Sequence, residues 1–415
     1  MNCHIFPPEE FIETSVSLPL SKSISNRALI INALTPNAID IKQVAKCDDT
    51  DVMVAALSST DSDINIGAAG TAMRFLTAYY AATPGRNVTL DGSERMRQRP
   101  ISALVNALRD CGADITYAAN EGFPPLTIKG SRLKGGNVSL PATISSQYIS
   151  ALLMIAPTME NGLTLTLEGD IISQPYILMT LSMMKSWGIE SDFTQNVITI
   201  APQTYKATPF KVEADWSAAS YWYEIAALSS GDISLQGLDS ESLQGDSHIA
   251  QLFEHFGINT VFDNGITTLE PSPDTTPRLN IDLSDQPDVA QTIVVTACML
   301  GIPFNITGLP TLKIKETDRL EALRCEMLKL GMELIIENDS KLSWDGNRMP
   351  IAEIPAIDTY KDHRMAMAFA PAALYIPGII INDIDVVSKS YPDFWRHLQD
   401  AGFKFAQADT SDNQQ

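Results

Sequence analysis

Polar and cationic residues precede apolar helical segments at six points in the sequence. These points are residues 23–27, 67–71, 144–148, 216–220, 286–290 and 361–365. From the second point onward they lie about 70 to 77 residues apart, a spacing that predicts βαβαββ-sized units rather than solenoid repeats. Helix starts bind anions through free N–H groups and the positive end of the helix dipole. The pattern therefore predicts an anion-binding site made from repeated helix starts.

Positively charged residues cluster beside these helix starts, although the chain carries a net charge of −21. The cluster consists of Lys22, Arg27, Arg74, Arg95, Arg97, Arg99, Lys313, Lys315, Arg319, Arg364 and Lys389. Arg binds carboxylate or phosphate through two parallel N–H donors, and Lys supplies a mobile point charge. Any one of these residues alone is expected to be a solvated surface charge. The whole set predicts the binding of multiply charged anions.

Two of these segments offer the most distinctive donors. Segment 95–100 contains three arginines followed by a proline that suits a first helical position. Like charges so close together repel each other unless an anion lies among them, so a ligand site is favoured over a solvated loop. Segment 21–27 offers two cations, hydroxyls and an amide, with a Ser-rich helix cap as the alternative interpretation. The pair Gly67 and Gly70 fits an anion site or a tight turn equally well.

Candidates for proton transfer are few. Asp288 lies at the start of a predicted interior helix, where a carboxylate either caps the helix or accepts a proton from a substrate hydroxyl. Glu316 adjoins Lys315 and lies near Arg319, which hold it ionised unless bound anions offset their charge. His363 is either structural or helps to balance charge.

The overall composition excludes several functional classes. With 50 acidic and 29 basic residues, the chain is not expected to bind nucleic acid or an anionic membrane. Its five scattered cysteines lack paired metal or redox spacings and indicate reduced thiols in the cytosol. The first ten residues show no signal or transit pattern, and no apolar run is long enough to span a bilayer. A cytoplasmic protein is therefore expected.

The sequence also lacks the common motifs of other reaction types. It contains no His-Glu-x-x-His pair, no P-loop and no Gly-x-Ser-x-Gly elbow. Metal-assisted hydrolysis, P-loop phosphoryl transfer and serine esterase chemistry are thus not supported. We expect a transfer reaction that uses no metal and no cofactor.

Two kinds of helix alternate along the chain. Segments 150–156 and 292–300 are apolar nearly all round, which predicts interior helices. Segments 101–108 and 320–330 instead place apolar side chains on one face. Glycines followed by short alternating segments predict outer strands after most of these amphipathic helices. The prediction is an inside-out α/β fold of two domains, each with three βαβαββ units that have interior helices and outer sheets.

A domain boundary is predicted near residues 205–215, where prolines and polar residues separate the third and fourth units. Residues 18–214 are expected to form one domain with units 1 to 3. Residues 1–17 and 215–415 are expected to form the other domain with units 4 to 6, and the active site is expected in the cleft between them. The acidic tail, 407–415, is expected to be frayed.

Six ordered motifs resemble those of the bacterial-type 5-enolpyruvylshikimate-3-phosphate synthases along nearly the whole chain. They are Leu-Ser-Lys-Ser-Ile-Ser-Asn-Arg at 20–27, Gly-Thr-Ala-Met-Arg at 70–74, Arg-Met-Arg-Gln-Arg-Pro at 95–100, Ser-Ser-Gln at 145–147, Lys-Glu-Thr-Asp-Arg at 315–319 and Asp-His-Arg-Met-Ala at 362–366. The resemblance implies the two-domain, inside-out enolpyruvyl transferase fold. It also implies transfer of the enolpyruvyl group of phosphoenolpyruvate to the 5-hydroxyl of shikimate 3-phosphate, with release of phosphate, in the shikimate pathway. A monomer is expected.

The resemblance also implies roles for individual residues. Those expected to bind shikimate 3-phosphate are Lys22, Ser23, Arg27, Ser145, Ser146, Gln147, Ser173, Tyr176, Asp288 and Lys315. Those expected to bind phosphoenolpyruvate are Lys22, Gly70, Arg99, Gln147, Arg319, Arg364 and Lys389. Asp288 is implied as the base and Glu316 as the partner in proton transfer to and from the methyl group, with Lys22 as a competing acid.

Two positions depart from the family pattern, because Ala68 and Thr311 stand where Asn is frequent in the family. They weaken the transfer of side-chain contacts at those points and leave the response to glyphosate, a mimic of phosphoenolpyruvate, open.

Two alternatives to this function remain. A UDP-N-acetylglucosamine enolpyruvyl transferase would share fold and donor, but it generally has a Cys in the loop that here spans 91–100. A noncatalytic anion-binding repeat protein would bind ligands without turnover.

Overall fold

The computed structural model describes residues 1–408 and divides the chain into two compact units. One unit, here called the continuous unit, is formed by Leu20–Val212. The other, here called the split unit, is formed by Met1–Pro19 together with Glu213–Gln415. The chain therefore passes from one unit to the other twice. The predicted frayed tail lies largely outside the described residues, and Gln407 ends the last strand.

The secondary structure alternates between helices and short strands. The strands are β1 (Cys3–Phe6), β2 (Glu13–Ser17), β3 (Asp63–Asn65), β4 (Asn87–Asp91), β5 (Asp114–Tyr117), β6 (Leu126–Lys129), β7 (Gly136–Pro141), β8 (Leu163–Glu168), β9 (Asp192–Thr194), β10 (Val197–Ile200), β11 (Asp232–Gln236), β12 (Phe256–Asp263), β13 (Ile266–Thr275), β14 (Leu279–Asp282), β15 (Phe304–Thr307), β16 (Ile335–Glu337), β17 (Lys341–Trp344), β18 (Ala356–Ile357), β19 (Ile379–Ile381) and β20 (Lys404–Gln407). The α-helices are α1 (Lys22–Ala33), α2 (Asp48–Ser58), α3 (Gly70–Ala81), α4 (Ser102–Asp110), α5 (Ser146–Ile155), α6 (Gln174–Ser186), α7 (Trp216–Ser229), α8 (Ile249–Leu252), α9 (Ala290–Leu300), α10 (Arg319–Lys329), α11 (His363–Phe369) and α12 (Phe394–Asp400).

The sheets share one topology. In the continuous unit, the strand orders are β3-β4-β6-β5 and β7-β8-β10-β9. In each, the first two strands are parallel and the last two form an antiparallel hairpin. A helix follows each of the first two strands, because a parallel pair needs a crossover connection. This order is the βαβαββ unit that the sequence period predicts.

The split unit contains three sheets of the same kind, and the N-terminal strands β1 and β2 each complete one of them. The orders are β12-β13-β11-β2, β14-β15-β17-β16 and β18-β19-β1-β20. Strand β2 runs parallel to β11, and β1 pairs antiparallel with both β19 and β20. The first 17 residues therefore belong to the fold of the C-terminal half of the chain.

The first repeat of the continuous unit differs from the other five. It contributes α1 and α2, and within the described chain no strand is assigned between residues 22 and 58. Most of the segment 36–44 is exposed. A buried backbone contact follows at Ala45, whose N–H donates to the Ser25 hydroxyl at 2.8 Å. This repeat is therefore anchored through its helices rather than through a sheet.

The predicted interior helices are confirmed. In α5 every residue except Gln147 is buried, and in α9 every residue except Leu300 is buried. Helix α11 is buried throughout. The amphipathic helix α4 instead buries only its apolar face, as the sequence predicts. Each unit is thus an inside-out α/β arrangement, because the sheets cover helices that cannot face water.

No helix in the described chain combines the length and the apolarity needed to cross a membrane.

One interior position of the split unit carries an unexpected ionisable residue. Glu224 lies in α7 and is fully buried, and its two carboxyl oxygens have no hydrogen-bond partner among the described residues. Burial raises the pKa of Glu224 well above its ordinary value. An unpaired carboxylate is costly in an apolar core, so this side chain takes up a proton when the unit folds.

We predict that Glu224→Gln stabilises the protein increasingly as the pH rises. The unfolded chain releases this proton near pH 4.5 and the folded chain keeps it. Each pH unit between the two pKa values therefore costs the wild type about 1.4 kcal/mol. Thermal denaturation of both proteins between pH 5 and pH 8 measures the difference. The exposed Glu270→Gln is the control, and a pH-independent difference for Glu224→Gln would contradict the assignment.

Candidate active site

Helix starts position the candidate residues of the continuous unit. The Ser21 hydroxyl accepts a hydrogen bond from the N–H of Ile24, which places Lys22 in the first turn of α1. The Ser145 hydroxyl accepts from the N–H of Gln147 at the start of α5. Serine at such a cap satisfies one of the free N–H groups of the first turn. The caps fix the direction in which the polar side chains leave each helix.

Arg27 is a buried cation held by neutral groups. Its guanidinium donates to the hydroxyls of Thr180 at 2.7 Å and Ser150 at 3.0 Å, and to the carbonyl of Ser23 at 3.0 Å. It also lies 5.7 Å from the ring centroid of Tyr176. Burial lowers the pKa of Arg27 to about 10, an effect that Tyr176 partly opposes. The structure therefore brings Ser23, Arg27 and Tyr176 together and keeps an arginine charge next to polar hydroxyls.

Lys22 and Gln147 have partners close to the same helix starts. The Lys22 ammonium lies 3.1 Å from a carboxylate oxygen of the buried Asp49 in the first turn of α2. The Gln147 amide nitrogen donates to the hydroxyl of Thr71 at 3.2 Å, which links α5 to α3. Both side chains are thus directed by neighbouring helices of the same unit.

Arg99 packs directly against Gly70. A Cβ atom on Gly70 would lie 2.6 Å from a terminal guanidinium nitrogen of Arg99, so glycine is the residue that leaves room for this side chain. Arg99 is 9% exposed, and its Nε has no hydrogen-bond partner among residues 1–408. Arg74 joins the start of α3 to the end of segment 95–100, because its guanidinium donates to the carbonyls of Gly70 at 3.3 Å and Pro100 at 3.2 Å. The arrangement leaves a guanidinium of Arg99 with capacity for an anion.

The prediction of a ligand site rather than a solvated loop at the three-arginine segment is wrong for Arg97. Its guanidinium is exposed and pairs with the carboxylate of Asp91, with Nε and Oδ1 2.9 Å apart. This carboxylate lowers the repulsion without any ligand. Arg95 is also exposed, so only Arg99 of the three is buried.

Two further candidates lie near the start of α6 and α5. Ser173 precedes α6 in a left-handed conformation with φ of 59°, and it is buried. Ser146 is the first residue of α5 and is likewise buried. Both hydroxyls therefore lie at helix starts, where the sequence predicts polar groups for a ligand.

The split unit contains a network built around Arg319, the first residue of α10. Its guanidinium donates to Asp362 at 2.7 Å, to Asp288 at 2.9 Å and to Glu316 at 3.0 Å. Asp318 caps the helix by accepting from the N–H of Glu321 at 3.2 Å. Arg319 is 1% exposed. Burial lowers the pKa of this arginine, but the three carboxylates raise it by more, so the net shift is upward.

Three more cations complete this network. The Lys315 ammonium lies 3.4 Å from a carboxylate oxygen of Asp288, and the Arg364 Nε lies 3.6 Å from the same oxygen. The Lys389 ammonium lies 3.0 Å from Glu316. The structure thus brings together all six of the split-unit site residues predicted from the sequence. They are Asp288, Lys315, Glu316, Arg319, Arg364 and Lys389.

Sequence reasoning missed Asp246, which adjoins this network. Its carboxylate accepts from the Ser217 hydroxyl, and that hydroxyl accepts from Arg364 at 3.3 Å. Burial and the negative charge of Asp288 raise the pKa of Asp246 to about 6, against the opposing effect of Arg364. Its other carboxyl oxygen has no partner in the described part of the chain. The sequence gives no signal for this residue, since it lies beside Asp288 only after folding.

His363 is buried beside Asp362, with Nδ1 and Oδ1 3.6 Å apart. Asp362 also accepts from the N–H of Arg364 at 3.0 Å, which caps α11. The histidine therefore lies against a carboxylate that is shared by Arg319 and the helix cap.

Comparison with known proteins assigns this chain to a family. Residues 58–398 match the family described as EPSP synthase (3-phosphoshikimate 1-carboxyvinyltransferase). The chain belongs to the EPSP synthase family. It is 54% identical to a 3-phosphoshikimate 1-carboxyvinyltransferase of Bacteroides fragilis over 94% of this chain and 96% of that protein. It is 36% identical to the protein of the same name from Pseudoalteromonas atlantica, over 94% and 97% of the two chains.

Solved structures show the same fold. The EPSP synthase of Acinetobacter baumannii aligns with a TM-score of 0.77 at 21% identity, over 98% of this chain and 100% of that chain. A second structure of EPSP synthase from the same organism aligns with a TM-score of 0.76 at 20% identity. The inside-out enolpyruvyl transferase fold expected from the sequence is therefore confirmed.

We predict that Arg319→Met lowers the free energy of unfolding by about 3–5 kcal/mol, because removing one partner of a buried ion pair leaves the other charges uncompensated. Three carboxylates would lose their common donor at once. Chemical denaturation with fluorescence detection measures the change. Arg324→Met, on the exposed face of the same helix, removes only an exposed ion pair and is the control. Equal effects of the two substitutions would contradict a structural role of the network.

Proposed function

We propose that this chain transfers the enolpyruvyl group of phosphoenolpyruvate to the 5-hydroxyl of shikimate 3-phosphate, giving 5-enolpyruvylshikimate 3-phosphate and phosphate. The observation that carries the proposal is the network in which four cations surround Asp288 and Glu316. Such a network holds an anionic substrate beside two groups that can carry protons. Membership in the EPSP synthase family supports the same reaction.

For shikimate 3-phosphate, the proposed contacts are hydroxyls, amides and cations. The residues are Lys22, Ser23, Arg27, Ser145, Ser146, Gln147, Ser173 and Tyr176 in the continuous unit, and Asp288 and Lys315 in the split unit. The burial of Arg27 among neutral groups supports this proposal, since an anionic phosphate would supply the compensating charge. The ring hydroxyls of the substrate would pair with serine and amide groups.

For phosphoenolpyruvate, the proposed contacts separate its two charged groups. Lys22 and Arg99 bind the phosphate, with Gly70 and Gln147 beside it. Arg319, Arg364 and Lys389 bind the carboxylate. The contact between Gly70 and Arg99 supports the first assignment, because any larger residue at position 70 would displace the guanidinium.

The proposed reaction is an addition followed by an elimination. Asp288 accepts the proton of the 5-hydroxyl while the oxygen attacks C2 of phosphoenolpyruvate. The C3 methylene gains a proton from Glu316, with Lys22 as the alternative donor, and becomes a methyl group. The tetrahedral adduct then loses phosphate by cleavage of the C–O bond. Glu316 takes a proton back from the methyl group and restores the double bond.

Competition between a substrate carboxylate and Glu316 for the same cations would allow Glu316 to take up a proton. In the structure it is paired with Arg319 and Lys389, which favour its ionised form. A substrate carboxylate bound to the same two cations would compete with Glu316 for them. The proton affinity of Glu316 would then rise, because less positive charge remains for it. Binding of phosphoenolpyruvate would in this way favour the protonated form of Glu316, which then supplies the proton to C3.

The cytoplasmic location and the monomeric state remain predictions from the sequence. The related acceptor UDP-N-acetylglucosamine remains the alternative to be tested directly.

Phosphate release tests the proposed function. We expect release of inorganic phosphate only when phosphoenolpyruvate and shikimate 3-phosphate are both present, and none when either is omitted. Replacement of the acceptor by UDP-N-acetylglucosamine is expected to give no release. Turnover with that acceptor alone would indicate the other transferase, and binding of both substrates without turnover would indicate a noncatalytic protein.

We predict that Asp288→Asn lowers kcat by about 10²–10⁴-fold, the usual contribution of a positioned general base. The amide keeps the shape of the side chain, so the KM of shikimate 3-phosphate should change by less than about three-fold. Steady-state phosphate release measures both constants. Asp263→Asn, at an exposed hairpin, is the control. A parallel loss of acceptor affinity would assign Asp288 to substrate binding alone and not to proton transfer.

A further inference from the structure

Helix α10 holds the segment before α11 through a buried carboxylate. Glu326 is 0% exposed and accepts a hydrogen bond from the N–H of Asp358 at 3.0 Å. It accepts a second from the hydroxyl of Tyr360 at 2.6 Å. The ammonium of Lys329, one turn further along α10, lies 2.7 Å from Glu326 and 2.9 Å from Asp358. A charged acceptor with such donors is among the stronger hydrogen-bonding arrangements in proteins.

The held segment has an unusual backbone conformation. Tyr360 and Lys361 have φ values of 53° and 58°, in the left-handed region. Two consecutive residues with side chains rarely adopt this conformation unless their surroundings enforce it. Partial burial of its hydroxyl, together with the bond to Glu326, raises the pKa of Tyr360, so this hydroxyl stays protonated and keeps donating. The contact with Glu326 is therefore suited to keep the turn in place.

The same helix also holds the other end of the turn. Asp362 follows the two left-handed residues, and its N–H donates to the carbonyl of Thr359 at 2.8 Å. Its carboxylate accepts from Arg319 at 2.7 Å and from the N–H of Arg364 at 3.0 Å. Arg319 begins α10, and Glu326 lies about two turns further along it. One rigid element thus fixes the turn on both sides of Tyr360.

We propose that Glu326 is a positioning residue for the donor substrate: through Tyr360 and the Asp358 backbone it holds the left-handed turn that directs Arg364 toward the carboxylate of phosphoenolpyruvate. The proposal rests on the proposed function, because that function assigns Arg364 to this carboxylate. Glu326 itself lies on α10 two turns from Arg319 and is not assigned to the substrate. Its loss would let residues 360 and 361 relax toward ordinary backbone angles, and Arg364 would move with them.

Kinetics and hydrogen exchange together test the proposal. Tyr360→Phe removes the donor to Glu326 and keeps the ring, and we expect the KM of phosphoenolpyruvate to rise about five- to ten-fold, which lies within the net contribution of a typical hydrogen bond. The kcat and the KM of shikimate 3-phosphate should stay within about two-fold. Deuterium exchange of the amides at 358–364 should become faster. Tyr375→Phe, which alters an exposed tyrosine, is the control for both measurements.

A rescue experiment separates positioning from a general loss of stability. Glu326→Ala should raise the same KM and accelerate exchange of the same amides. Adding Lys361→Gly should bring the KM at least halfway back, because glycine adopts positive φ without steric cost. A loss of stability in the core of the unit would not be repaired by a change at an exposed turn residue.

Arg364→Met, measured in the same assay, distinguishes a failure of the positioning role of Glu326 from a failure of the assignment of Arg364 to the substrate carboxylate. If Arg364→Met raises the KM of phosphoenolpyruvate but Tyr360→Phe and Glu326→Ala do not, the positioning role is overturned and the proposed function stands. Unchanged amide exchange in both variants would overturn it as well. If Arg364→Met leaves this KM unchanged, the assignment of the substrate carboxylate is overturned, and the positioning role falls with it.

Discussion

The enclosure of Arg319 by three carboxylates is the interaction on which the arrangement of charged groups in the split unit depends. Asp288, Glu316 and Asp362 come from three separate parts of the chain, and one buried guanidinium joins them. Neither Arg319 nor Asp362 could be buried without an opposite charge, because desolvation would exceed any local gain. The network therefore fixes where the start of α10, the segment before α9 and the cap of α11 lie within the unit. The positions of Asp288 and Glu316 follow from this balance of charge.

Cations in the two units are compensated either by neutral groups or by carboxylates, and Lys22 of the continuous unit, paired with Asp49, belongs to the second kind. In the continuous unit, Arg27 rests on hydroxyls and a carbonyl, and the Nε of Arg99 has no partner among the described residues. In the split unit, Arg319 and Lys389 are paired with carboxylates. A phosphate can bind to the first kind of cation without displacing another anion, whereas a carboxylate must displace one from the second kind. Displacement of a carboxylate raises the proton affinity of that carboxylate, because it loses the positive charge beside it.

The sequence predicts those parts of the fold and site that depend on local pattern. Periodic helix starts locate Lys22, Gly70 and Ser146, and apolar composition identifies α5 and α9 as interior helices. Contacts that depend on the path of a loop or on packing between distant segments escape such reasoning. The pairing of Arg97 with Asp91 depends on how the chain turns after β4. Asp246 and Glu326 acquire their importance from residues about 30 to 40 positions away, which only packing brings near.

Strain and charge act together at the turn before α11. The left-handed conformation of Tyr360 and Lys361 is strained because both residues carry side chains. The bond between Asp362 and Arg319 stabilises this backbone conformation. A flexible turn would let Asp362 follow Arg319 freely and would leave the direction of Arg364 undetermined. A turn restrained at both ends by α10 instead transmits the position of that helix to α11. A guanidinium group binds an anion in one defined orientation only when the stem of its side chain is held in place. The backbone that carries the long side chains therefore determines how accurately they can be directed at an anion.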